Sequence, residues 1–402
     1  MADIRQYRRI HDEHFSDTEC EENHEELINK HRKKMIVIAL IAAVVIALVF
    51  LLFKLISDNA NYTDYSVVNS INRNDNSAAT YIPYDSGYIR YSFDGITSCD
   101  MNGNSRWNHS YTRKNPSIDI NDDMVAIGDI NGTNILVFDS KGLRGSIDTA
   151  IPIVQVVATS KDLVIAVLDG DTANFITMYD TAGNKVYSIK TSLTGDGYPI
   201  DVSCSPDGTK LIASFLYVSG ESVRSNVVFY NFSDVGQNET ERLVGGFNHY
   251  ENTIVPEVHF IDEKNAIAVG ENVITFFSMG EYPKLVKEVK YDTNIDKVFY
   301  DDSYVGIISD SKSEGNRYNI KVFTLSGNEK FSTDYTQDYT DAQFVDGGVM
   351  LNNGSTMALI GMNGKLQMEK RADTAIEKII PTKTKNRFAL VSAKYIQEIV
   401  LR

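Results

Sequence analysis

Three groups of residues in this chain have the side-chain types that chemistry requires. His11, His14, Cys20 and His24 stand near the start, His109, His249 and His259 are scattered through the rest, and Asp122-Asp123, Asp169-Gly170-Asp171 and Asp301-Asp302 set carboxylates close together. The first group has zinc-ligand types, but its spacing matches no standard zinc module and reads as a solvated tail. The scattered histidines do not spell a nucleophilic triad or a metal site. The aspartates fall where turns are expected, and none has the spacing of a calcium-binding loop. We therefore assign no catalytic residue, no cofactor-binding residue, no metal ligand and no cofactor from the sequence. Cys99 and Cys204 are expected as free, buried thiols, because a body of this size does not need a disulfide framework.

The elements that must position any site come in two kinds. Residues 35–53 (MIVIALIAAVVIALVFLLF) form an uncharged apolar run. At about 1.5 Å per helical residue, such a run spans ~28 Å, the thickness of a bilayer core. His31-Arg32-Lys33-Lys34 precedes it and only Lys54 follows closely. The excess of basic residues on the first side places the N-terminus in the cytoplasm. A cleaved signal peptide is the competing reading, but it expects a shorter basic leader, a shorter apolar stretch and a small-x-small cleavage site. The expected organisation is a cytoplasmic tail over 1–34, a transmembrane helix over 35–56, a linker over 57–63 and an extracytoplasmic domain over 64–402, at the plasma membrane. Ser16-Asp17-Thr18-Glu19 has the spacing of a capping box that would start a juxtamembrane helix. The net charge of −15 argues against nucleic acid as a partner.

From residue 64 onward, short β-branched and aromatic runs alternate with Gly, Asn and Asp turns, which is the pattern of an all-β domain. One unit recurs: a strand ending at a polar or small residue, a tight turn, then an outgoing strand. Its turn positions are Asp100, Asp139, Asp180, Asn231, Ser278, Thr324 and Gly361, separated by 37 to 51 residues. That period, with four strands per repeat, is a propeller blade. A further unit after the seventh turn (377–380, 387–391, 395–401) lacks an outgoing strand. Residues 65–71 can supply one, since closing the ring with a strand from the other end removes an unpaired edge. The expectation is an eight-bladed β-propeller of four-stranded antiparallel blades; a seven-bladed ring is the alternative, through slippage of the count over 64–108.

Asp100-Met-Asn-Gly-Asn104 and Asp180-Thr-Ala-Gly-Asn184 resemble the repeat turns of quinoprotein-like propellers, including outer-membrane assembly lipoproteins. Ser205-Pro-Asp-Gly208 is similar to the turn of lactonase-type and TolB-type propellers. The whole layout, a basic-flanked anchor before a divergent propeller, resembles a mainly Gram-positive bacterial family of unknown function. The resemblance implies a fold and a location but no activity. Pyrroloquinoline quinone enzymes of the first group stack their cofactor on tryptophan, whereas this chain has only Trp107, which is read as an outer-strand packing residue. The function expected is a membrane-anchored scaffold binding a protein or an envelope polymer through ring-face loops, of which 217–226, 235–243 and 310–317 are the longest. The alternative is a metal-dependent hydrolase or lactonase with three or more acidic or amide side chains converging in the central channel.

Overall fold

The computed structural model describes residues 17–402 except 59, 74, 76–78, 194, 220, 221, 252 and 383. The chain divides into two units, Met1–Ala60 and Asn61–Arg402. In the first, a single α-helix runs from Asp17 to Asp58. It starts well before the apolar run because nothing between those residues, neither proline nor glycine, breaks it. Ser57 and Asp58, expected in the linker, are helical. One stretch, Ile28–Phe50, is long and apolar enough to cross a membrane, and every side chain in it is exposed. Ser16, expected as the helix cap, and His11 and His14 lie outside the described residues, as do the side chains of Cys20 and His24.

The second unit is an eight-bladed β-propeller, each blade a four-stranded antiparallel sheet. Numbered along the chain, the blades cover residues 80–110, 116–148, 153–191, 198–251, 257–290, 295–335, 341–371 and 378–401, the last completed by Tyr65–Asn72. All seven repeat turns fall where expected, between the third strand and the outermost strand of a blade. In two of them the geometry is near-identical. Asp100 and Asp180 each accept the backbone N–H of the asparagine four residues on through Oδ1 and its Nδ2 through Oδ2, at 2.8–2.9 Å. Gly103 and Gly183 take φ of 80° and 87°, a region open to glycine without a Cβ penalty.

Stacking blades around a ring buries both faces of every sheet, so the middle strands are apolar throughout rather than alternating. Met124–Asp129, for example, is buried at five of its six positions. Eight separate apolar clusters result, one at each junction between neighbouring blades. Trp107 sits on the outermost strand of blade 1, as expected, and stacks on Phe138 of blade 2 with ring centroids 5.0 Å apart. Cys99 and Cys204 are free and buried.

The ring closes as the strand deficit requires. Tyr65–Asn72 pairs antiparallel with Tyr395–Leu401 and removes the last open edge. Arg73, directly after this strand, locks the seam. Its side chain is 2% exposed and ion-pairs with Asp75 at 2.9 Å and with Glu377. It also donates to the Ser392 carbonyl at 2.7 Å and lies 4.9 Å from the ring centroid of Tyr81 in blade 1. The Tyr81 hydroxyl in turn donates to Asp75. One guanidinium thus ties the closing strand to the blades on both sides of the seam.

Candidate functional site

The innermost strands surround the channel, and their edge N–H and C=O groups need partners. Polar side chains of the neighbouring blade supply many of them. Asp119 of blade 2 accepts the Ala158 N–H of blade 3 at 2.7 Å. Gln155 of blade 3 accepts the Val202 N–H at 3.0 Å and donates to Asp201 of blade 4 at 2.7 Å. Asp201 and Ser203 then accept the Val258 and Phe260 N–H groups of blade 5 at 2.8 and 2.9 Å. Across the ring, Asp341 of blade 7 is held by Lys297 at 3.1 Å and Lys378 at 2.7 Å. Burial pushes the carboxyls of Asp119 and Asp201 above the usual carboxylate range. Burial also opposes ionisation of Asp341, but the two lysines outweigh it and hold its carboxyl below that range.

These carboxylates serve the seams between blades. Among the described residues, no three His, Cys, Asp or Glu side chains come together as a metal site. The histidines do not converge either. His109 lies edge-on to Phe138, His249 stacks on Tyr250 and bonds Glu288 at 2.7 Å, and of these three His259 alone stands on an innermost strand, Glu257–Phe260. There it lies between the Tyr300 hydroxyl, 3.2 Å from Nδ1, and Glu257, 3.5 Å from Nε2. The acidic pairs occupy turns: Asp301 accepts the N–H groups of Ser303 and Tyr304, and Asp122 has φ of 55°.

Antiparallel order puts two kinds of connection on each ring face. The upper face carries the turns from second to third strand and the links between blades; the lower face carries the other turns. Two of the three long segments meet expectation in place but not in form. Residues 217–226 are not a loop: the second and third strands of blade 4, Lys210–Ser219 and Ser222–Asn231, are ten residues each and stay paired to Ser219 opposite Ser222. Val218 is 63% exposed on this hairpin, and the Arg224 guanidinium lies 4.8 Å from the Tyr217 ring centroid. Residues 235–243 form two short 3-10 turns on the lower face, Val235–Asn238 and Thr240–Arg242.

Residues 310–317 lie on the upper face and line a cleft of about 300 Å³ between blades 5 and 6. One wall is Tyr291, whose ring lies 5.4 Å from the Lys321 ammonium. The other holds Asn319, which donates to Asp334 at 2.9 Å, and Ser311, which donates to the same carboxylate at 2.9 Å. Those hydrogen bonds, Asn319's foremost, keep the Asp334 carboxyl below its ordinary range. Lys312 and Asp292 form an exposed ion pair that joins blade 6 to the link between the two blades. A second cavity of about 170 Å³ is lined by Glu257, Gly270, Asn294 and Lys297 among others. The sequence signalled one rim of the cleft through the length of 310–317; its other walls come from segments with no unusual feature.

Residues 58–401 match a family of unknown function (DUF5711), and the chain belongs to it. Among solved structures, BamB from Moraxella catarrhalis is similar over 84% of this chain and 100% of its own, with a TM-score of 0.55 and 12% identity. Sqt1 from Chaetomium thermophilum is similar over 86% of this chain and 98% of its own, with a TM-score of 0.52 and 11% identity. At such identities the likeness is one of fold. No curated protein matches the sequence.

Proposed function

We propose that this member of a family of unknown function is a single-pass membrane protein whose extracytoplasmic propeller holds a protein partner on its upper face. The observation that carries the reading is the hairpin of two ten-residue strands in blade 4, which outruns the five- to seven-residue second and third strands of the other blades and exposes Val218 near its end. Blade strands are occupied with packing, so recognition falls to what projects from them. The anchor reading is supported by the uncharged stretch within Ile28–Phe50 and the basic residues beside it. That basic flank also favours a cytoplasmic N-terminus and a plasma-membrane location. We assign no catalysis, because the channel carboxylates that a hydrolase would need already hold the seams between blades.

Crosslinking in intact cells, followed by purification of the anchored protein, tests this reading. A version lacking residues 64–402 and one with 216–225 replaced by a two-residue turn are the controls. Partners recovered with the intact chain and lost with both versions are expected. Partners retained by the hairpin-less version would move the interface elsewhere, and protease protection of the propeller in right-side-out vesicles would overturn the topology.

A further inference from the structure

The cleft between blades 5 and 6 has a chemistry distinct from a protein-docking surface. Its volume, about 300 Å³, is at the small end of ligand pockets. Its lining is polar and balanced in charge: Lys290, Lys312 and Lys321 face Asp292, Asp310 and Asp334. A ligand carrying one sign of charge, whether phosphate or amine, meets like charges on these walls along with opposite ones. A neutral ligand bearing many hydroxyls meets no such opposition, because each hydroxyl both donates and accepts. The walls offer it both donors and acceptors.

Rigidity and access favour the same ligand. The Asn319, Ser332, Asp334 and Ser311 side chains are joined to one another by hydrogen bonds of 2.9–3.3 Å, so one wall is fixed in advance. Preorganised polar groups lose little freedom on binding. On the other wall, the Lys321 ammonium lies over the Tyr291 ring, 5.4 Å from its centroid. The Lys312–Asp292 pair is 68% and 79% exposed, and such pairs separate at little cost. We propose that this cleft is a carbohydrate subsite that takes one or two units of a neutral glycan. It does not depend on the hairpin of blade 4.

The test uses the full chain in micelles of a detergent without a sugar headgroup. Saturation-transfer difference NMR is run with neutral tetrasaccharides built from N-acetylglucosamine, glucose or mannose, and with inorganic phosphate as a competitor. Transfer to at least one tetrasaccharide, unaffected by phosphate, is expected. Lys321→Met keeps an unbranched side chain of similar length and removes the ammonium; with Asp310→Ala it is expected to weaken binding at least tenfold without lowering the melting temperature. Asp169→Ala, on the upper face of blade 3, is expected to leave binding unchanged. Absence of transfer from all three sugars overturns the proposal, as does transfer that survives in the double variant or is displaced by phosphate. The partner of the hairpin is expected to be captured equally by the double variant, so failure of either reading is visible separately.

Discussion

Replacing Arg73 by methionine is the sharpest test of how the ring is held closed. The substitution keeps an apolar stem of similar length but leaves Asp75, 10% exposed, without its cation. Breaking a buried pair by removing one partner costs about 3–5 kcal/mol. The Glu377 arm adds little, because that carboxylate is 39% exposed and water replaces the guanidinium there. Loss of the bond to the Ser392 carbonyl adds about 1 kcal/mol, while the methionine regains some packing on Tyr81. The sum is roughly 4–5 kcal/mol at neutral pH. For a domain of roughly 340 residues, with an unfolding entropy near 2.1 cal/mol/K per residue, the melting temperature falls by about 6 °C. Trp107, the only tryptophan, reports the transition by fluorescence from the junction of blades 1 and 2. The double variant Arg73→Met with Asp75→Asn leaves no orphaned charge at that position, keeps an acceptor for the Tyr81 hydroxyl, and is expected to recover more than half of the loss. A single variant that melts within 1 °C of the parent refutes the reasoning, and so does a double variant less stable than the single one.

Further outcomes follow from the channel wall and the blade junctions. Asp119, held above the usual carboxylate range by burial, binds its proton more tightly folded than unfolded. It therefore lowers stability as pH rises from the unfolded value toward the folded one. Asp119→Asn keeps an acceptor for the Ala158 N–H, so it should flatten that loss and melt no lower than the parent at pH 7, as scanning calorimetry between pH 4 and 7 would show. Asp341 has the opposite sign: its carboxyl is held below the ordinary range, so its contribution is present above the unfolded value and disappears as pH falls through the folded one. Asp341→Asn should cost about 1–3 kcal/mol at pH 7 and nothing at acid pH, measured by the same scans. Gly145→Ala would place a Cβ 1.8 Å from the Thr181 carbonyl oxygen; the shift this forces between blades 2 and 3 should cost about 1–3 kcal/mol in denaturant titration, and an unchanged midpoint would show that the blades do not approach as described.

The sequence by itself determined what is encoded within a blade. Strand, turn and outgoing strand lie within a few tens of residues, so their periodicity is written in the order of apolar and turn residues. The recurrence of Asp, Asn and Gly at the turns therefore yielded eight blades, and the missing outermost strand yielded the closing role of residues 65–71. The uncharged run 35–53 was legible for the same local reason, and so was the helix upstream of it, expected from the 16–19 capping-box spacing and running from Asp17 as helix propensity continues through the polar residues. Blade 4 shows the limit of local reading. Residues 217–226 have turn-like composition, yet their pairing continues the sheet, since cross-strand partners rather than propensity decide where a hairpin ends. The tertiary structure alone decided which side chains meet between blades. Gln155 and Asp201 are 46 residues apart, and Arg73 and Glu377 are 304 apart. No sequence period brings such pairs together. They meet because ring closure sets one blade's edge against the next, and the cleft walled by Tyr291, Lys321 and Asn319 exists only through that same juxtaposition of blades.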